Sequence, residues 1–179
     1  MNDGWKFACV ARLDPSAKGQ DLLLQIMSSN IWRERPVHLN LFGKGPCEYS
    51  LRQLSTRLGV ENVTFRGHVS EIDSIWDENH LLLLPSRYEG LPLALVEAMW
   101  SGRASVVTDV GGNAEACVDG ETGFVASGPN LISFSSAMEK AWVHRDELRS
   151  MGFRARLRAE SLIPRDPDGE FYTHVASCI

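Results

Sequence analysis

Short apolar runs alternate with amphipathic segments along most of this chain of 179 residues. The runs over 37–42, 80–84 and 104–108 have the length and composition of buried strands. Between them, apolar residues recur at helical spacing, as over 49–58 before Gly59, which is a common helix stop. Strands that alternate with helices in this way predict βαβ units. The sequence therefore predicts an α/β fold, a Rossmann-like open parallel sheet with helices on both faces.

The length suits one domain, because 179 residues are enough for a single hydrophobic core. We expect this domain to span 1–179, with its core over about 5–160 and a tail over 161–179 that carries no element prediction. Ser70 is predicted to cap a short helix that reaches Trp76. The remaining predicted elements are strands over 7–13, 63–65 and 123–125, and helices over 22–27, 92–101, 111–118 and about 130–158.

Composition excludes several classes of partner. Lys and Arg number 18 against 23 Asp and Glu, a net charge of −5, so nucleic acid is not an expected partner. The four cysteines, at positions 9, 47, 117 and 178, form no C-x-x-C pair and favour a reducing compartment over a zinc site. No apolar stretch approaches the roughly 20 residues of a membrane span, and the N-terminus does not resemble a signal peptide. We therefore expect a cytoplasmic protein without a metal site.

Open parallel sheets bind their ligands beyond the carboxyl ends of the strands. Much of this chain's glycine lies in the loops predicted there, together with many of the loop charges. The predicted functional region therefore consists of the loops over 12–19, 43–46, 67–69, 85–91 and 109–113.

Two glutamates bracket the loop and helix that follow the leucine strand. Glu97 lies in a helix that is apolar nearly all round, so its carboxylate is expected to be buried and to need a partner. That partner is either a group of the protein, through a salt bridge or a local hydrogen bond, or the hydroxyls of a ligand. Glu89 lies eight positions earlier, before Gly90, which permits close backbone approach, and Pro92, which suits the first helical position. The free amides at this helix start favour a phosphate.

Two cations flank the loop after the first predicted strand. Arg12 can hold a diphosphate with two parallel hydrogen bonds, and Lys18 can add a point charge, although either residue can instead be a solvated loop base. The loops at Gly43 and at 67–69 can bring backbone against a planar base. His68 alone is more typical of a loop histidine than of a catalyst.

Several common enzyme motifs are missing from the sequence. Glu48 stands where a dinucleotide-binding fingerprint that starts at Gly43 requires glycine. The sequence has no G-x-x-x-x-G-K-[ST] and no G-x-S-x-G, which argues against a P-loop NTPase and a serine hydrolase. No His, Asp and Glu cluster has the spacing of metal ligands.

The segment over 86–99, Ser-Arg-Tyr-Glu-Gly-Leu-Pro-Leu-Ala-Leu-Val-Glu-Ala-Met, resembles the E-x7-E signature of family-four retaining glycosyltransferases with the GT-B fold. This family is also called glycosyl transferases group one. The resemblance extends over about 5–160. The other matching segments, in chain order, are 10–14, Lys18-Gly19, 43–46, 65–69, 108–115 and 119–123.

The resemblance implies a role for each charged candidate. Arg12 and Lys18 would hold the donor's diphosphate and stabilise the leaving nucleoside diphosphate. Glu97 would bind the ribose hydroxyls, and Glu89 would contact the transferred sugar. The remaining implied contacts are Gly90, Leu91, Pro92 and Leu93 for the phosphate, and His68 and Val69 for the base.

The resemblance also implies a mechanism and a missing partner. It predicts sugar transfer with retention from a UDP-sugar or GDP-sugar to a polysaccharide or lipid-linked acceptor, without a metal or other cofactor. Enzymes of this family carry the acceptor site on a second, N-terminal domain, so we expect this chain to be the donor half and to transfer little sugar alone. A membrane would be met only through a lipid-linked acceptor or through the absent half. The alternatives are a non-catalytic interaction module and a phosphorylase- or epimerase-type enzyme on the same architecture.

Overall fold

A computed structural model describes residues 4–90 and 92–162 of the chain. Within these residues, six parallel strands form one sheet in the order β3-β2-β1-β4-β5-β6. The strands are β1 (Trp5–Val10), β2 (Val37–Phe42), β3 (Val63–Gly67), β4 (Leu81–Leu84), β5 (Ala104–Thr108) and β6 (Gly123–Ala126). This is the strand order of a doubly wound Rossmann fold. The predicted fold class is confirmed.

Helices connect the strands and cover the sheet. They are α1 (Pro15–Lys18), α2 (Gln20–Met27), α3 (Asn30–Arg33), α4 (Glu48–Leu58), α5 (Ile72–Glu78), α6 (Leu93–Trp100), α7 (Asn113–Ala116), α8 (Leu131–Val143) and α9 (Leu148–Leu162), with a 3-10 turn at Arg145–Glu147. None of the helices in the described part of the chain is long and apolar enough to cross a membrane.

Alternate residues of each strand feed two separate hydrophobic cores, one on each face of the sheet. Leu81 and Leu83 pack into the core covered by α2, α4 and α8, whereas Leu82 and Leu84 pack into the core covered by α5, α6 and α9. A strand that is buried on both faces must be apolar at every position, which explains the uninterrupted run of leucines.

Several sequence-based boundaries differ from the structure, and three of the differences have a clear physical reason. The first strand ends at Val10 rather than Leu13, because Leu13 is buried in the loop beyond the sheet rather than in the ladder. Glu71, not Ser70, occupies the N-cap of α5. Pro92 is the N-cap of α6 and not its first helical residue, since its extended ψ of 121° lies outside the helical region.

The order of the strands fixes where a ligand can enter. The connection from β1 passes to β2 on one side, while β4 lies against the other side of β1. The loops after β1 and β4 therefore diverge at the carboxyl edge of the sheet and leave a crevice there. The loops after β2 and β3 extend the same edge on one side.

Candidate functional site

A cleft of about 700 Å³ opens at this crevice, beyond the ends of β1 and β2. We call it the strand-end cleft, defined by the residues that line it. Its polar lining consists of Arg12, Lys44, His68, Ser70 and Glu97. The rest of its lining is Val10, Ala11, Phe42, Gly43, Val69, Ile72, Ile75, Leu93 and Ala94. An apolar pocket with a few convergent polar groups is typical of small-ligand sites.

Arg12 and Glu97 both line this cleft, as the sequence predicts. Neither side chain has a hydrogen bond or ion pair with any residue that the structure describes. The protein cation that could have neutralised Glu97 is therefore not found among those residues. Partial burial raises the pKa of the Glu97 carboxyl above its usual value of 4.5. A half-buried carboxylate and a free guanidinium are consistent with groups whose partner is a ligand.

The raised pKa of Glu97 predicts opposite effects on stability and binding. Its burial favours the protonated carboxyl in the folded state, so stability is lost as pH rises from about 4.5 through the raised pKa. Glu97→Gln removes that loss, and we expect its Tm at pH 7 to equal or exceed the wild-type value. The same change removes a charged acceptor and should weaken nucleotide binding about 10- to 100-fold.

Thermal unfolding from pH 4 to pH 8 and calorimetric titration with UDP measure these two effects. Glu61→Gln, on an exposed acid away from the cleft, is the matched control and should change neither quantity. A Glu97→Gln variant that melts well below the wild type would instead show that Glu97 has a structural role.

Lys18 and Glu89, which the sequence also predicts at the site, are not among the residues that line the cleft, and they contact each other instead. Lys18 Nζ lies 2.7 Å from Glu89 Oε1, and the Ser86 hydroxyl donates to the same oxygen at 2.7 Å. The Glu89 side chain is only 5% exposed and that of Lys18 25%. In this structure the two side chains form one ion pair that joins the loops after β1 and β4, and the separate roles expected of them stay predictions.

Further contacts fix the same two loops together. Arg87 forms a two-pronged salt bridge with Asp21, with distances of 2.7 and 3.0 Å between the paired atoms. The backbone amides of Arg87 and Tyr88 both donate to the carbonyl oxygen of Ala17. The loop that carries Glu89 is therefore held in place before any ligand binds.

The start of α6 presents free backbone donors. Leu93 and Ala94 are its first two helical residues, where amides have no partner within the helix. Both residues line the cleft, and the Leu93 side chain is 75% exposed. Pro92 precedes them as the N-cap, and the Gly90 carbonyl accepts a hydrogen bond from Gly112. The predicted contact at Leu91 lies outside the described residues.

The loops after β2 and β3 form the opposite wall. Gly43 has a φ of 123°, and a Cβ atom at this position would collide with the carbonyl oxygen of Ala11. Its amide donates to the Gly67 carbonyl at 2.7 Å, which brings His68 and Val69 to the cleft. The backbone packing therefore requires glycine at position 43, whether or not a ligand binds there.

Sequence reasoning gave no role to Lys44 or Ser86. Lys44 lines the cleft with Arg12 and has no ion pair among the residues described. Its place inside the Gly-Lys-Gly-Pro loop was the available signal. Ser86 is fully buried and contacts Glu89, and its position three residues before that acid is the corresponding signal.

A second cavity, of about 790 Å³, lies between α5, α6 and α9. It reaches Trp100 and Arg103 at the far end of α6 and includes none of the predicted site residues. The carboxyl edge of the sheet is where ligands of this fold bind, so we assign the site to the strand-end cleft. In the described ranges, no group of three or more His, Cys, Asp or Glu side chains is placed to hold a metal ion.

Residues 5–143 match the family model described as glycosyl transferases group 1. The chain belongs to this family. Among curated relatives, it is 30% identical over 164 residues to the D-inositol 3-phosphate glycosyltransferase of Gordonia bronchialis. It is 28% identical over 158 residues to the GDP-mannose-dependent alpha-(1-6)-phosphatidylinositol monomannoside mannosyltransferase of Mycolicibacterium smegmatis.

The fold of this group 1 glycosyltransferase chain is shared by solved structures. The HepE protein of Anabaena in complex with UDP superimposes with a TM-score of 0.84 at 21% identity. The alignment covers 99% of this chain and 50% of that one. The alignment with the Gordonia relative covers 84% of this chain and 35% of that protein. The alignment with the Mycolicibacterium relative covers 83% of this chain and 41% of that protein. The chain spans well under half the length of these two curated relatives.

Proposed function

We propose that this chain is the nucleotide-sugar-binding half of a retaining GT-B glycosyltransferase. The observation that carries the proposal is the strand-end cleft, into which an unpaired guanidinium (Arg12) and an unpaired, half-buried carboxylate (Glu97) both open. A nucleoside diphosphate has complementary groups, since its phosphates need cations and its ribose hydroxyls donate to a carboxylate.

The cleft has a suitable group for each part of the nucleotide. Arg12 and the first amides of α6, at Leu93 and Ala94, bind the diphosphate. Glu97 binds the ribose, and the loops at Gly43 and at 67–69 enclose the base. Lys44 supplies a further cation on the Arg12 side. Glu89 is not part of the cleft lining, but Lys18 holds it in the loop before α6, where we propose that it contacts the transferred sugar.

The proposed reaction is an exchange of one bond at the anomeric carbon. The bond from that carbon to the diphosphate oxygen breaks, and the bond to the acceptor oxygen forms on the same face of the sugar. The acceptor's proton passes to the departing diphosphate. Arg12 and the α6 amides stabilise the negative charge that develops on the leaving group, so we propose that no metal or other cofactor is needed.

Donor and acceptor are proposed from the relatives' names and from chemistry. UDP is present in the Anabaena structure, and GDP-mannose is named for the Mycolicibacterium enzyme, so a UDP-sugar or GDP-sugar is the proposed donor. A second, N-terminal Rossmann-like domain would carry the acceptor, a polysaccharide or a lipid-linked molecule, and only this contact would involve a membrane. A cytoplasmic location stays a prediction.

Isothermal titration of the chain with UDP, GDP, UDP-glucose and GDP-mannose tests the proposal. We expect one base to bind, and its nucleoside alone to bind at least about 10-fold more weakly, because charged hydrogen bonds to the diphosphate are lost. EDTA should leave the affinity unchanged. If folded protein binds none of the four at millimolar ligand, the proposal fails and a non-catalytic interaction module becomes the better reading.

A further inference from the structure

The Glu89 carboxylate is held by one of its two oxygens. Both Lys18 Nζ and Ser86 Oγ donate to Oε1, each at 2.7 Å, and no other described residue donates to either oxygen. Because the Glu89 side chain is 95% shielded and its Oε1 has two donors, Oε2 is the acceptor left for another hydroxyl. The pair of donors thus leaves Oε2 without a donor among the described residues.

Ser86 is itself fixed by the neighbouring strand. The Thr108 hydroxyl donates to the Ser86 carbonyl oxygen at 2.6 Å, and the Asn113 amide donates to the Thr108 carbonyl at 3.0 Å. All three residues are completely buried. Buried polar side chains that are joined in this way hold one geometry strongly, since breaking any bond leaves a group without water or a partner.

The backbone on either side of Glu89 is fixed by the loop that follows β5. The Gly112 amide donates to the Gly90 carbonyl at 2.8 Å. Gly111 has a φ of 53°, and a Cβ atom there would collide with the carbonyl oxygen of Glu89. Backbone and side chain of Glu89 are therefore positioned by the same segment, 108–113.

We propose that Ser86 and Thr108 are positioning residues that aim Glu89 Oε2 at a hydroxyl of the transferred sugar. The proposal rests on the proposed function, because it assumes that a nucleotide sugar occupies the cleft. Thr108 acts through Ser86, and Ser86 acts through Glu89. Neither hydroxyl is exposed, so neither touches the ligand itself.

The test measures how much the sugar adds to binding. For each variant, the affinity for the best nucleotide sugar of the panel is divided by the affinity for its nucleoside diphosphate. Ser86→Ala and Glu89→Gln should each lower this ratio about threefold to tenfold. Thr108→Val should lower it about twofold to threefold. Thr108→Ser keeps the hydroxyl and should restore the wild-type ratio. UDP or GDP affinity itself should stay within about twofold in the three Ser86 and Thr108 variants, which shows that the cleft is intact.

Each outcome has a separate meaning. Equal ratios in Ser86→Ala and the wild type, with Glu89→Gln lowered, would overturn the positioning roles while leaving the proposed function standing. A wild-type ratio of one would also overturn them, because Glu89 would then contact no sugar. A ratio that is lowered in Thr108→Ser as well as in Thr108→Val would mean that packing, not the hydroxyl, causes the effect, and would overturn the role of Thr108. Absence of nucleotide binding in the wild type would remove the proposed function first.

Discussion

Arg12→Ala should weaken UDP or GDP binding about 100-fold without lowering the Tm. The guanidinium lines the cleft, is exposed, and has no ion pair or hydrogen bond with the described residues. Its attraction for the Asp14 carboxylate is screened by water, so the folded protein loses little when the guanidinium is removed. The diphosphate, in contrast, loses a charge-assisted pair of hydrogen bonds worth about 1.5–3 kcal/mol or more. Calorimetric titration and thermal unfolding of the same preparation measure both effects.

Two further variants separate charge from geometry. Arg12→Lys keeps the charge but loses the planar fork, and should recover only part of the affinity. Arg57→Ala removes an exposed arginine from the last turn of α4, at the opposite end of the sheet, and should bind like the wild type. Equal weakening by Arg57→Ala would mean that overall charge, rather than Arg12, governs binding.

Lys18→Met should destabilise the fold by about 2–4 kcal/mol, because it leaves a buried carboxylate without its cation. Glu89 is 5% exposed, and after the change only the Ser86 hydroxyl remains as its donor among the described residues. The double variant Lys18→Met/Glu89→Gln removes both charges and should be more stable than Lys18→Met alone. Urea unfolding of the wild type, Lys18→Met, Glu89→Gln and the double variant gives the coupling free energy between the two residues.

The matched control is the exposed pair of Lys140 and Asp119, whose charged atoms are 3.7 Å apart. Lys140→Met should cost less than about 1 kcal/mol, since water screens an exposed pair. If Lys18→Met costs no more than Lys140→Met, the Lys18–Glu89 pair is not a structural element, and Lys18 is free to act on the ligand alone.

The fold was predictable because the patterns that determine it, apolar runs and helix-ending glycines, are local features of the sequence. The fully apolar run Leu81–Leu84 indicates a strand buried on both faces, and Gly59 ends α4 in the left-handed conformation that was expected. Errors arose where tertiary contacts replaced local preference. The apolar side chain of Leu13 favoured a strand prediction. In the structure this side chain is buried in the loop beyond the sheet, and the residue takes no part in the ladder.

The loops that form the site were predictable from the sequence, but the side-chain pairs within them were not. The strand order brings the ends of β1 and β4 together, so placing Arg12 and Glu97 near one crevice needed only the topology rule. The pairing of Lys18 with Glu89 joins residues 71 positions apart, and no local spacing encodes it. The contribution of Ser86 also depends on Thr108, which belongs to another strand.

Nucleotide binding at the β1–β4 crevice is tested most directly by an NMR titration of the ¹⁵N-labelled chain with UDP and GDP. The expected result is a set of amide shifts at Arg12, Gly43, Val69 and Ala94 that saturates with ligand, and that Arg12→Ala abolishes at the same concentrations. Shifts confined to Trp100 and Arg103, in the cavity at the far end of α6, would contradict the assignment, and so would a spectrum of folded protein that neither nucleotide changes.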